Sequence, residues 1–380
     1  MPSSMVYALV MAAVVVLAGA AMASAPWLVR STECFAVTVP EAMAGDPRLV
    51  GLKRRYSATV AVLSAAAAAA TGVACLLDPE GAVGAVALLV STVVLMVASF
   101  ALMLRYRSRV ARLKREGGWR ATRQVRLAAV GEADLPRPLS LAWELVHVPI
   151  VLLTVGLGVS LLPSMPDRVP VHFGATGAAD GWVDKGPAAV LLPVGIVVFM
   201  AVCMTFAHVA IVRSKRGVDA GAPATTAWGY AMFARAQSVM LVATGVAFNL
   251  AFSLMPLQMA GVVSAGVLLA VMLLLAVATL VACVWMAVAY GQGGCRAAAR
   301  LGVDASGGTS GDSRALSADD DRFWRAGVFY VNPDDPSLFV LKRFGIGWTL
   351  NWARPVSWAV MGGFSVLMVA LLLLLVVVES

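Results

Sequence analysis

AGVVSAGVLLAVMLLLAVATLVACVWMAVA, Ala260–Ala289, runs for 30 residues without one charged side chain. As a helix it would rise about 45 Å at 1.5 Å per residue, more than the ~30 Å hydrocarbon core of a bilayer. Lipid offers no partner to a bare backbone N–H or C=O, so an apolar run of this length is expected to be a spanning helix. A membrane β-barrel needs short alternating segments instead, and runs such as Leu371–Val378 do not alternate.

Working outward, seven further runs have the same character: Met5–Met22, Ser57–Leu77, Gly81–Leu104, Leu145–Leu162, Ala188–Val212, Ala236–Met255 and Val356–Val378. The chain of 380 residues is 60% hydrophobic and 13% charged, against roughly half and a quarter in soluble domains. The fold class expected is therefore all-α: a polytopic transmembrane helical bundle of about eight helices. The first run ends in AMASA before Pro26, like a signal-peptidase site, but nothing basic precedes it, so a retained helix is expected.

Charge separates the two sides. Of 29 Lys and Arg residues, 27 fall in the loops after helices one, three, five and seven. The positive-inside rule puts those loops in the cytoplasm, with both termini outside a multi-pass cell-membrane protein. The net charge of +8 then reports orientation, and no nucleic-acid partner is expected. The five cysteines, 34, 75, 203, 283 and 295, form no CxxC and call for no structural disulfide.

The chain divides into 1–144, a three-helix region with basic loops; 145–212, a helix–loop–helix unit; 213–300, a two-helix region; 301–318, a Gly/Ser linker; and 319–380, a hairpin unit with the last helix. The basic segment RYRSRVARLKRE is expected to continue helix three until Gly117-Gly118 stops it, as a solvated stop-transfer segment. Ala65–Ala70 reads as a packing face.

The loop Val169–Lys185, VPVHFGATGAADGWVDK, combines an extended start, three glycines, an Asp180-Gly181 hairpin dipeptide and the interfacial Trp182. Pro187 suits the first turn of helix five. His172 with Asp180 or Asp184 offers metal-type ligands, but fewer than the three or four protein ligands a site uses. A structural or partner-contacting loop is expected, with no metal and no cofactor. In 319–354, Val328–Val331 and Leu338–Leu341 are expected to pair as a cytoplasmic β-hairpin across the turn Asn332–Ser337. There Asn332, Asp334 and Asp335 either cap the turn or offer oxygen ligands to a hard cation. Lys342-Arg343 is expected to meet the membrane surface, and Trp348, Trp352 and Trp358 to form an interfacial belt.

Glu144 and His147, i,i+3 neighbours on helix four, and His208 on helix five form a candidate proton relay. Their places near helix ends also suit inexpensive snorkelling. Arg235 is expected to begin helix six, and Asn249 to bond across a helix contact. No HExxH, GxSxG or Walker lysine loop occurs, and no catalytic residue is assigned.

VPVHFGATGAADGWVDK resembles domain-of-unknown-function family 1648, found in SdpI-like membrane proteins, which are named for an immunity protein against a secreted peptide toxin. The matching residues are Pro170, His172, Phe173, Gly177, Asp180, Gly181, Trp182 and Lys185. FWRAGVFYVNPDDPSLFVLKRFGIGWTLNW resembles domain-of-unknown-function family 5808, through Trp324, Gly327, Phe329, Tyr330, Asn332, Pro333, Asp335, Pro336, Lys342, Arg343, Gly345, Gly347 and Asn351. The resemblance implies a non-enzymatic envelope protein with an immunity or signalling role. Its expected partners are the lipid bilayer, an extracellular peptide at the outer loop, and a cytoplasmic regulator or membrane partner. The alternative is a proton-coupled small-molecule transporter using Glu144, His147 and His208.

Overall fold

The computed structural model describes residues 3–78, 82–119, 135–173, 179–214, 223–300 and 321–379. The expected Gly/Ser linker 301–318 and Gly177 of the loop motif lie outside the described residues. In chain order the elements are α1 (Ser3–Leu28), β1 (Glu33–Cys34), β2 (Val37–Thr38), α2 (Pro47–Leu77), α3 (Ala82–Glu116), α4 (His147–Leu161), β3 (Arg168–Phe173), β4 (Ala179–Asp184), α5 (Pro187–Val212) and α6 (Pro223–Phe252). There follow α7 (Met255–Met259), α8 (Ala265–Ala289), α9 (Cys295–Arg300), β5 (Trp324–Arg325), β6 (Phe329–Tyr330), β7 (Phe339–Leu341), β8 (Trp348–Leu350) and α10 (Pro355–Glu379). Among the described residues, eight helices are long and apolar enough to cross a membrane. The protein is a multi-pass membrane protein, all-α apart from small antiparallel hairpins.

The chain forms two compact units, and each draws on separated stretches of sequence. One comprises Met1–Pro136, Ser214–Phe233 and Ala287–Arg354; the other comprises Arg137–Arg213, Ala234–Met286 and Pro355–Ser380.

In the first unit, α2 buries a narrow stripe, Leu52, Tyr56, Val60, Ser64, Ala68, Thr71 and Cys75, at helical i+3/i+4 spacing. Of the alanine run only Ala68 is buried, so the packing face is one seam and not the whole of Ala65–Ala70. Small residues let α1 approach: Ser64 Oγ donates to the Val15 carbonyl at 3.2 Å, and a Cβ on Gly19 would fall 2.0 Å from Ser64 Oγ. Close backbone approach through small residues is how helices associate where lipid removes the hydrophobic drive. Gly19→Leu is therefore expected to lower the stability of the full chain by about 1–3 kcal/mol, the usual cost of overpacking. Thermal unfolding in detergent checks it; an unchanged midpoint contradicts the packing.

α2 begins at Pro47, ten residues before the apolar run, because Asp46 caps it by accepting from the Arg48 N–H at 2.8 Å. Leu49, Leu52 and Tyr56 already face inward in this polar first stretch. The basic extension of α3 does run to Glu116, with Gly117-Gly118 beyond it. It is not a solvated stop-transfer segment. Tyr106 and Val110 are buried against Phe35 and Val37 of the β1–β2 hairpin. Phe35 meets Tyr106 at 5.2 Å and Tyr56 at 5.5 Å between ring centroids. Arg107 donates to the Ala36 and Trp324 carbonyls. Apolar residues three and four apart gave this basic stretch a face worth burying.

The C-terminal strands pair differently from the expected hairpin. β6 pairs back with β5, and β7 pairs forward with β8. Ala326 and Gly327, both at positive φ (50° and 73°), close the first turn, a geometry suited to two-residue hairpins. Gly345 and Gly347, at 78° and 111°, serve the second. Asn332–Ser337 is instead a loop organised by side chains. Asn332 Oδ1 accepts from the Asp334 N–H and Asp335 Oδ1 from the Ser337 N–H, both at 3.0 Å. Buried Asn351 ties the loop down by donating to the Asn332 and Asp335 carbonyls at 2.8 and 3.0 Å.

Arg343 does not reach a membrane surface. It is buried, ion-paired to Asp321, and its guanidinium lies 5.1 Å from the centre of the Trp324 ring. Asp321 also accepts from Lys114 Nζ at 2.7 Å and from the Thr38 hydroxyl at 2.9 Å, so it binds this region to α3 and β2. Trp348 leaves the expected belt to pack on Phe233 at 5.7 Å, and Trp352 packs on Phe329 at 5.9 Å. Trp358 on α10 is exposed.

In the second unit, α4, α5 and α10 pack together with α6 residues from Ala234 onward. α6 starts at Pro223, so Arg235 lies inside the helix and not at its start. Its guanidinium donates to the Arg137 carbonyl at 3.2 Å. The β3–β4 hairpin rises between α4 and α5. Val169 and Val183 are buried with Met165, Leu192 and Met259.

Candidate functional site

Polar residues on α5 and α6 of the second unit repeat at helical spacing. Thr205 and His208 share one stripe of α5, while Ser238, Gly245 and Asn249 share one of α6. Facing them is a short 3-10 segment, Leu141–Val146, capped by Ser140 and running into α4. It carries Glu144, one turn before His147.

Packing brings these groups to one point. Glu144 Oε1 lies 2.7 Å from His208 Nδ1, and Glu144 Oε2 lies 3.2 Å from His147 Nε2. The Thr205 hydroxyl donates to Oε2 at 3.3 Å. Asn249 Nδ2 stands 2.9 Å from His147 Nδ1, and His208 Nε2 stands 3.1 Å from the Leu139 carbonyl. His208 is 0% exposed, His147 3% and Glu144 7%. The three candidate relay residues therefore converge, buried, inside the unit. Asn249 bonds across a helix contact, as expected. Gly245 makes room, since a Cβ there would sit 3.3 Å from His147 Cε1.

Hydrogen-bond polarity fixes where protons must be. A carbonyl only accepts, so His208 Nε2 carries a hydrogen for Leu139. In a neutral imidazole Nδ1 then holds a lone pair, and that lone pair would face a carboxylate oxygen at 2.7 Å. Two acceptors do not sit at that distance without a proton between them. One proton is shared by Glu144 and His208, as carboxylic acid with imidazole or as carboxylate with imidazolium. On the other side Asn249 donates to His147 Nδ1, which leaves the His147 hydrogen on Nε2, toward Glu144. Even so, His147 Nε2 and Asn249 Oδ1 are buried without a hydrogen bond of their own. Leaving such atoms unsatisfied costs about 1–3 kcal/mol each, a cost a passive core would avoid.

Glu144, His147 and Thr205 line one end of a crevice of about 500 Å³. Its walls are aliphatic: Val148, Val151 and Leu152 from α4, Val198 and Val202 from α5, with Phe206 beside Thr205. Among the described residues, no group of three or more His, Cys, Asp or Glu side chains is placed to hold a metal ion.

The loop motif forms a second, separate feature. Arg168 pairs with Asp184, Pro170 with Trp182 and Phe173 with Ala179, with irregular register at His172. Asp180-Gly181 lies within β4 and not in the turn. Gly181 opposes His172, and a Cβ there would come within 2.7 Å of His172 Cβ; the missing side chain admits the register shift. His172 Nδ1 meets Asp180 Oδ1 at 2.5 Å, both exposed. Trp182 is exposed, and Lys185 Nζ donates to the Pro163 carbonyl at 2.8 Å.

In the C-terminal motif, Tyr330 donates to Asp335 Oδ2 at 2.9 Å, and burial pushes its phenol up to about 12. Trp324 packs on Tyr330 at 5.1 Å. Gln292 donates to the Lys342 and Gly347 carbonyls at 3.1 and 2.9 Å. Asn332 and Asp335 thus spend side-chain oxygens on backbone and phenol donors, while Asp334 contributes its backbone N–H. What sequence reading missed at the buried cluster is the Leu139 carbonyl and the Thr205 and Ser238 hydroxyls. The stripe of polar residues on α5 and α6 is the signal that pointed to the hydroxyls.

Residues 150–197 match a family model described as a domain of unknown function, DUF1648, and residues 333–358 match a family of unknown function, DUF5808. The first spans α4, the β3–β4 hairpin and the start of α5, between the cluster residues Glu144 and His208. No curated protein and no solved structure matches the chain.

Proposed function

We propose that this multi-pass membrane protein is a proton-coupled transporter whose proton site is the Glu144–His208 pair, with His147, Thr205 and Asn249 positioning it. The observation that carries this reading is the convergence of Glu144, His147 and His208, at 7%, 3% and 0% exposed, in a chain that spans the membrane. Ionisable groups there are costly and mark ion or substrate paths. The pair opens on a crevice where a solute can meet it, and we read its work as binding and moving protons, not as making or breaking covalent bonds. Loop charge supports a cell-membrane protein with the cluster at the cytoplasmic ends of its helices.

A second reading keeps the immunity or signalling role of SdpI-like proteins. The match over 150–197 and the exposed face of the β3–β4 hairpin, with His172, Asp180 and Trp182, favour it. There the hairpin would meet an extracellular peptide.

Proteoliposomes on a solid-supported membrane, given pH steps, separate the two. The transporter reading expects a transient current that Glu144→Gln and His208→Ala both abolish. A current equal to that of empty liposomes, or one that survives Glu144→Gln, overturns it. The hairpin reading expects His172→Ala with Trp182→Ala to weaken toxin protection while protein level and pH-step current stay unchanged.

A further inference from the structure

We infer that the crevice takes a lipophilic monocation and that the cation and the shared proton compete for Glu144. The inference rests on the proton-site reading above and adds the class of substrate. Among the described residues, Glu144 is the one acidic group lining the crevice. The wall opposite it is aliphatic, from Val148 and Leu152 to Val198 and Val202, so a strongly hydrated ion would lose its water there without replacement. A cation with its charge spread beneath apolar surface loses little. A volume of about 500 Å³ lies within the roughly 300–1,000 Å³ of small-molecule sites.

A second observation points into the same space. His147 Nε2 is buried, lines the crevice beside Glu144 and has no hydrogen bond. Its hydrogen completes the carboxylate once the shared proton has left. The charges balance in one exchange. The Glu144–His208 pair with its proton is neutral; the cation enters, the proton leaves to water, and the carboxylate turns from the His208 Nδ1 lone pair to the cation, leaving His208 neutral. The charged or titratable groups facing Glu144 are His147 from its own segment and His208 from α5. Arg235 on α6 is directed to the Arg137 carbonyl. A site that holds either a proton or a cation, but not both, exchanges one for the other across a membrane.

Equilibrium binding of tetraphenylphosphonium to the purified full chain in detergent tests this, with proton release followed in weak buffer. One proton should leave per cation bound. Because proton and cation compete for one site, the apparent Kd should rise on acidification, by linkage. Glu144→Gln should weaken binding at least tenfold and remove the pH dependence. Val202→Trp, which fills the crevice, should weaken binding as well. If tetraphenylphosphonium fails to bind, releases no proton, or binds Glu144→Gln equally well, the cation inference falls. A persisting pH-step current would then leave the proton site itself standing.

Discussion

Glu144→Ala is expected to destabilise the protein by about 3 kcal/mol, whereas Glu144→Gln is expected to cost less than about 1 kcal/mol. Alanine removes the group that both imidazoles face. His208 Nδ1 is then left buried and unpaired, His147 Nε2 loses the carboxylate 3.2 Å away, and breaking a buried pair from one side costs about 3–5 kcal/mol. Glutamine keeps the shape and reverses the logic of the bonds. Its amide can donate to the lone pair on His208 Nδ1, and its carbonyl can accept from His147 Nε2. Every bond to the position is then met with no proton to share. The two variants thus separate structure from function: Gln keeps the fold and loses the proton, while Ala loses both. Urea unfolding of the reconstituted protein measures the difference. Equal destabilisation by Gln and Ala would contradict the bonding scheme.

The second large effect is expected at Asn351. This residue is 0% exposed and holds the Asn332–Ser337 loop through both ends of its amide. It donates to the Asn332 and Asp335 carbonyls and accepts from the Asn332 N–H at 3.1 Å and the Ala353 N–H at 3.3 Å. At about 1 kcal/mol for each hydrogen bond, Asn351→Ala is expected to remove roughly 3–4 kcal/mol. Hydrogen exchange in the full chain should show it as lost amide protection in β6, β7 and β8, with α4 and α5 unchanged. Asn351→Asp keeps the acceptor and loses the donors, so it should fall between wild type and alanine. Unaltered protection in the alanine variant would show that the loop is held by something else.

The membrane helices were legible in the sequence because length and apolarity are local properties. Ala260–Ala289 needs no partner to be recognised. The helix starts were less so. α2 and α6 begin well before their apolar runs, at Pro47 and Pro223; the Asp46 cap and a few inward apolar residues carry the start of α2 rather than hydropathy. The strand pairings were misread because Val328–Val331 and Leu338–Leu341 have equal claims on each other and on nearer neighbours. The left-handed turn at Ala326-Gly327 and the Gly345/Gly347 turn decide the matter, and only the second has an obvious glycine signature.

The candidate relay is the instructive case. Glu144, His147 and His208 stood out by residue type, but their depth depended on how α4 packs on α5. The Leu139 carbonyl, which sets the tautomer of His208, belongs to the backbone and carries no residue identity at all. The basic stretch of α3 failed differently. Its charges read as solvated, yet Tyr106 and Val110 bury its inner face while Arg107 and Lys114 find partners.

With only three histidines in the chain, nitrogen NMR of ¹⁵N-histidine-labelled protein addresses the shared proton directly. His147, His172 and His208 can be assigned by single substitution. At neutral pH, His208 should show a protonated Nε2 and an Nδ1 in a strong hydrogen bond with a shared proton. Glu144→Gln should convert it to the neutral Nε2–H form. If the His208 Nδ1 instead shows no strong hydrogen bond, or its signals are unchanged by Glu144→Gln, no proton is shared at this site and the proton-coupled account is wrong.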